Sequence, residues 1–204
     1  DFGLDAGERV LLVGESGAGK STLLSLICGV LRPSAGSIKV AGNDITTLRS
    51  SALDRLRADT FGIIFQMFNL LPFASALENV LLPLRFARNR TVDSPREAAA
   101  DLLIRLGLPE DAVHAKAGTL SVGQQQRVAA ARALIGAPPI VIADEPTSAL
   151  DRNTAAEFMA LLIQELTRTK AALLMVSHDE RLAVHFDRVV PLDSIARSTR
   201  KSVA

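Results

Sequence analysis

Residues 14–21 read Gly-Glu-Ser-Gly-Ala-Gly-Lys-Ser, a glycine followed after four residues by Gly-Lys-Ser. This is the spacing of a phosphate-gripping loop when a strand precedes it and a helix follows. Gly14, Gly17 and Gly19 let the backbone of Glu15, Ser16 and Ala18 wrap closely enough for N–H groups to point at phosphate oxygens. The start of the following helix adds its positive end. Lys20 supplies a full charge toward the β- and γ-phosphates. The Ser21 hydroxyl is placed to ligate Mg2+, and Thr22 can donate to the α-phosphate. A plain Gly-rich turn between strand and helix is the bland alternative, and the presence of every defining residue argues against it.

A glycine loop alone does not choose among kinases, GTPases and transport ATPases. A second motif narrows the choice: the apolar run Ile140-Val141-Ile142-Ala143 leads directly into Asp144 and Glu145. In open α/β sheets ligand groups gather at the carboxyl ends of strands, so these acids arrive beside the cradle. Successive strand residues point in opposite directions, which leaves the two carboxylates free for different tasks. Asp144 can hold Mg2+, directly or through water, and Glu145 can polarise an attacking water. An isolated Asp-Glu pair would read as solvated turn acids; the apolar run and the glycine loop reverse that reading.

Between these motifs lies Leu120-Ser121-Val122-Gly123-Gln124-Gln125-Gln126-Arg127. Ser121 followed three residues later by Gln124 is a capping box at a helix start, and helix starts offer N–H groups to anions. Here the chain resembles the ATP-binding-cassette (ABC) family, whose signature is Leu-Ser-Gly-Gly-Gln. The resemblance runs over nearly the whole chain. Gln66 stands at the family's Q-loop glutamine, Ser148-Ala149-Leu150-Asp151 at its D-loop, and His178 at its switch histidine near the γ-phosphate.

The resemblance implies an ATP-hydrolysing transporter subunit with a P-loop NTPase core, a mostly parallel sheet and an inserted helical subdomain. It implies ATP and Mg2+ as cofactors, with Ser21, Gln66 and Asp144 around the ion and Glu145, His178 and Gln66 in catalysis. It also implies a second ATPase subunit as partner. In that head-to-tail dimer Ser121, Gly123 and Gln124 of one chain close over the γ-phosphate held by the other, and Asp151 lies in the loop that crosses the interface. Transmembrane permease subunits follow as partners, with the chain on the cytoplasmic face of the cell membrane. Residues 65–66, 69–72 and 76–80 look like the ATPases of bacterial lipoprotein-releasing and macrolide-exporting systems. A cell-division ATPase that transmits force to a membrane partner is the alternative within the fold. A soluble ABC ATPase acting on nucleic acid is less favoured, since those carry coiled-coil, zinc or tandem-cassette additions. A P-loop kinase has no use for the signature at Ser121.

The chain departs from the family pattern in places. Val122 stands where the family usually has glycine; on the first turn of a right-handed helix a β-branched residue costs little. The family's adenine-stacking aromatic is expected upstream of Asp1, with the strands that carry it, and Phe2 is a weak substitute. With so short an end after the last expected strand, no regulatory domain is expected. His114 and His185 lack partners in the sequence and read as surface or structural residues. The stretch 65–73, Phe-Gln-Met-Phe-Asn-Leu-Leu-Pro-Phe, reads either as plain core or as a groove for a partner helix.

Positioning these residues requires strands alternating with helices, hence a mostly parallel sheet. Apolar or alternating runs predict strands at 9–13, 37–41, 61–65, 140–143, 172–176 and 188–192. Helical spacing predicts helices at 20–30, 121–135 and 154–166. Residues 74–108, interrupted by Pro83 and Pro95 and preceded by Pro72, read as several helices. The expected division is a RecA-like core of about 1–72 and 137–204, with a helical subdomain of about 73–136.

Bulk composition agrees. A chain of 204 residues with 48% hydrophobic and 22% charged residues fits one sizeable domain. A formal net charge of +1 gives no reason to expect nucleic acid. The short basic tail of Arg197, Arg200 and Lys201 reads as a solvated terminus. The lone Cys28, among Leu26, Ile27 and Val30, excludes a disulfide scaffold and reads as a buried thiol in a reducing compartment. No apolar run spans a bilayer, so a channel would lie on another chain.

Overall fold

The computed structural model describes residues 1–15 and 17–195. Ser16 of the glycine loop, and Arg197, Arg200 and Lys201 of the basic tail, lie outside the described residues. In chain order the elements are β1 (Arg9–Val13), α1 (Lys20–Ile27), β2 (Lys39–Val40), β3 (Asn43–Asp44), α2 (Ser50–Thr60), β4 (Phe61–Ile64), α3 (Ala76–Leu81), α4 (Pro95–Arg105), α5 (Val122–Leu134), β5 (Ile140–Asp144), α6 (Arg152–Thr169), β6 (Ala172–Ser177), β7 (Arg188–Pro191) and α7 (Leu192–Ile195).

Five strands form one sheet in the order β4-β5-β6-β1-β7, every neighbouring pair parallel. Its central strands are apolar because both faces are covered. Consecutive residues serve opposite cores. On one face Leu11, Val141, Ala143, Leu173 and Met175 meet Leu77 of α3, Leu103 of α4, Val128 of α5 and Phe158 of α6. On the other, Val10, Leu12, Ile142, Leu174 and Val176 meet Leu24 of α1 and Leu53 of α2. Each such side chain contributes about 1.5–3 kcal/mol by burial. A one-residue slip of any strand would exchange the two cores, so register is strongly held. Register in turn fixes where the loops leave the sheet.

The segment between β4 and β5 is largely helical, and Pro83 and Pro95 fall where helices start. Pro83 is the second residue of a short 3₁₀ turn at Leu82–Arg85, and Pro95 is the first residue of α4, positions where a missing N–H costs nothing. The structure differs from expectation in several elements. α2 was not anticipated. The strand expected at 37–41 is Lys39–Val40 alone, paired antiparallel with Asn43–Asp44. Ala41 and Gly42 between them both have positive φ, 47° and 79°, the conformation of a tight hairpin turn. α1 stops at Ile27, with Gly29 at φ 66° just beyond. α6 is longer than 154–166, from its cap at Asp151 to left-handed Lys170. Cys28 is buried, and desolvation pushes its thiol up to about 12. Among the described residues no helix is long and apolar enough to cross a membrane.

Candidate active site

The glycine loop leaves β1 and enters α1 at Gly19, which is left-handed at φ 94°, ψ 14°. Gly17 is likewise at φ 79°. A Cβ on either would meet nothing within 4 Å. These glycines are therefore required by backbone conformation, not by space. A side chain there costs about 1–2 kcal/mol. No side chain caps α1, so its first N–H groups remain for an outside acceptor.

Lys20 is buried, and its Nζ donates to the Gly14 carbonyl at 2.8 Å and reaches the Glu15 carbonyl at 3.5 Å. The same ammonium lies 3.1 Å from Glu145 Oε1. The other carboxylate oxygen of Glu145 lies 2.9 Å from His178 Nδ1. Asp144, one residue earlier, faces elsewhere: its Oδ2 accepts the Ser21 hydroxyl at 2.9 Å. The two acids thus have separate partners, but strand alternation is not the cause, because β5 ends at Asp144 and Glu145 stands in the turn beyond it.

Glu145 is only 9% exposed, and its φ of 46° is left-handed. Such a conformation in a non-glycine residue persists only where neighbours enforce it. Here its N–H donates to the Val176 carbonyl at 3.0 Å, and the Ser148 hydroxyl donates to its carbonyl at 2.9 Å. Ser177 was not foreseen. Its buried hydroxyl accepts the Asp179 N–H at 3.0 Å and lies 3.5 Å from Glu145 Oε2. It thereby ties the turn that carries His178 to the carboxylate that His178 meets. A serine at a strand end carries no distinguishing signal in a single sequence.

These side chains line a cleft of about 580 Å3 formed by Gly17, Gly19, Lys20, Ser21, Thr22, Gln66, Asp144, Glu145, Ser148 and His178. Gln66 comes from the exposed loop after β4. Ser121, Gly123, Gln124 and Asp151 are not among its walls. Ser121 caps α5: its Oγ accepts the Gln124 N–H at 3.3 Å, and its own N–H donates to Gln124 Oε1 at 2.9 Å. The anticipated capping box is formed, and it consumes one of the amides that a helix start could offer. Asp151 caps α6 through the N–H groups of Asn153 and Thr154 and the Thr154 hydroxyl. Gly123 lies against the start of α6, where an added Cβ would stand 3.4 Å from Thr154 Cγ2. Phe2 lies under the Arg188 guanidinium, 5.5 Å from its ring centre, and is not a cleft wall.

The donor set suits a magnesium nucleotide. Ser21 and Asp144 bring a hydroxyl and a carboxylate oxygen together, with Gln66 in the same cleft. Among the described residues no group of three or more His, Cys, Asp or Glu is arranged to hold a metal ion by itself. A hard ion that takes few protein oxygens and completes its shell with phosphate and water fits this arrangement.

Comparison with known proteins decides the family. Residues 1–148 match the ABC transporter family model. The chain belongs to the ABC transporter family. It is 47% identical over 94% of its length to the lipoprotein-releasing system ATP-binding protein LolD of Anaeromyxobacter dehalogenans, covering 80% of that protein. It is 46% identical over 93% of its length to the LolD of Syntrophotalea carbinolica, covering 83% of it. Among solved structures it is similar to the ATP-binding cassette MJ0796 in a dimeric post-hydrolysis state bound to ADP and Pi. That match has TM-score 0.85 and 38% identity, over 93% of this chain and 83% of the other. The chain is an ABC transporter ATP-binding subunit, an ATPase with the α/β cassette fold.

Proposed function

We propose that this subunit binds Mg-ATP in the cleft, hydrolyses it, and works as half of a head-to-tail dimer. In this reading the N–H groups of residues 14–22 and the Lys20 ammonium hold the phosphates. Ser21, Asp144 and Gln66 would hold Mg2+, which would supply charge neutralisation at the phosphates. Glu145 takes the proton of the attacking water. His178, which meets the same carboxylate, lies near the γ-phosphate. Ser121, Gly123 and Gln124 of the second chain close over that phosphate, and Asp151 lies at the interface between chains.

The observation that carries the reading is the convergence of Lys20, Ser21, Asp144, Glu145 and His178 in one cleft from loops far apart in sequence. The division into a core of about 1–72 and 137–204 and a helical subdomain of about 73–136 belongs to the same proposal. So does a place on the cytoplasmic face of the cell membrane beside permease subunits. A groove of about 510 Å3 between α2, β4 and the helical segment, lined by Phe61, Phe65, Pro83 and Phe86, supports docking of a permease segment. The relatives' names favour release or extraction of a lipid-modified or membrane-embedded substrate.

Replacing Glu145 with Gln tests the chemistry. Turnover should fall roughly 10²–10⁴-fold, as for loss of a general base, with ATP binding nearly intact. Near-normal turnover would remove Glu145 from the mechanism.

A further inference from the structure

The loop after β4 is held in an uncommon shape. Phe68 and Asn69 are consecutive non-glycine residues in the left-handed region, at φ 55° and 52°. Each is disfavoured on its own, and the pair persists only if the surroundings impose it. The loop is anchored at its far end by the buried Asn79 of α3, whose Oδ1 accepts the Leu71 N–H at 2.7 Å and whose Nδ2 donates to the Leu71 carbonyl at 3.1 Å. At the left-handed pair itself the anchor is Arg132. Its Nη1 donates to the Asn69 carbonyl at 2.5 Å and its Nη2 to the Phe68 carbonyl at 2.6 Å.

Arg132 sits in the last turn of α5, the helix that Ser121 caps at its other end. Burial holds its pKa below the ordinary guanidinium value, and among the described residues no neighbouring charge offsets that cost. A half-buried cation without a carboxylate partner is an expensive way to fill space. A planar fork that holds two carbonyls at once is something only arginine supplies.

We infer that Arg132 is a positioning residue that fixes Phe68 and Asn69 so that Gln66 stays aimed into the cleft, and that joins the Gln66 loop rigidly to α5. The inference rests on the proposed role of Gln66 at the magnesium nucleotide. Gln66 then has a fixed strand on one side and the Arg132 clamp on the other. Any displacement of α5 relative to the sheet is felt at Gln66 and at Ser121 together.

The test is a double-mutant cycle on the full chain. Arg132→Met exchanges the cation for an apolar chain, a change that buried ionic groups often tolerate. Turnover should fall roughly 10- to 100-fold, as for a misplaced catalytic group, with ATP affinity little changed and a raised Mg2+ requirement. Gln66→Ala should lose turnover too, and the double variant should be no slower than Gln66→Ala alone, because one residue acts through the other. Amide exchange at residues 66–70 should accelerate in Arg132→Met. Arg132→Lys, which keeps the charge but not the fork, should fall between, and it decides the matter by the same readouts if Arg132→Met does not fold. Additive losses, or unchanged exchange at Phe68 and Asn69, would overturn the clamp while leaving Gln66 in its role. Normal turnover in Gln66→Ala would instead overturn the cleft reading on which the clamp depends.

Discussion

α1 and α5 both begin on motifs that the proposed function directs at phosphate, yet their first turns are finished in opposite ways. α1 starts on left-handed Gly19 with no side-chain cap, inside a cleft with Lys20, Ser21 and two acids. α5 starts on Ser121 in extended conformation, with a reciprocal capping box, on an exposed surface beside the start of α6. One helix start keeps its N–H groups for a ligand and depends on glycine conformation to aim them. The other has its Gln124 and Ser121 N–H groups taken by its own side chains, so its cap is formed before any ligand arrives, and it brings no charged partner. A gripping half and a closing half on one chain are what a sandwich of two chains needs.

The contrast can be broken at the gripping half first. Lys20→Ala should weaken ATP binding roughly 10- to 100-fold, since hydrogen bonds to a charged group are worth about 1.5–3 kcal/mol; calorimetry measures it. Unchanged affinity would mean that α1 does not grip. Glycine substitutions sharpen the comparison. Gly19→Ala should destabilise the loop by about 1–2 kcal/mol through positive φ and lower nucleotide affinity. Gly123→Ala meets only an ordinary contact with Thr154. It should therefore leave thermal stability unchanged or raise it by up to about 1 kcal/mol, leave nucleotide affinity intact, and reduce turnover. Equal effects on affinity at both glycines would erase the distinction.

The smallest effect concerns Asp151, beside the closing half. The Thr154 hydroxyl, and after it the Thr154 and Asn153 N–H groups, hold its carboxyl below the usual value. A depressed folded pKa stabilises above the unfolded value of about 3.9 and is lost as pH falls through the folded value. The Tm advantage of the parent over Asp151→Ala should therefore shrink as acid is added. A difference independent of pH would show that the carboxylate is not what caps α6.

Much of this contrast was legible in the sequence, because both helix starts are written in local spacing. A glycine pattern and a Ser-x-x-Gln box need no tertiary information. α2 was not legible: its cap position is Arg49 with no side-chain bond, and only Leu53 and Thr60 of it are buried. Nor was the left-handed turn at Glu145, which depends on Ser148 and on the neighbouring strand β6. The 65–73 stretch was ambiguous for a physical reason. Met67 and Phe73 are 80% and 73% exposed, while Phe65 lines the groove, so one apolar run serves two environments. Asp151, read only as a residue of the interface loop, gave no sign that it also caps α6 in the single chain.

The central claim is that the two helix starts complete one site only across two chains. Sedimentation of the Glu145→Gln variant, with and without ATP, tests it most directly. Without nucleotide the subunit should be monomeric, and with ATP it should form a dimer that cannot hydrolyse itself open. Adding Ser121→Arg should abolish that dimer, while ATP still binds each chain within a few-fold of the parent affinity. An ATP-dependent dimer that survives Ser121→Arg would contradict the account.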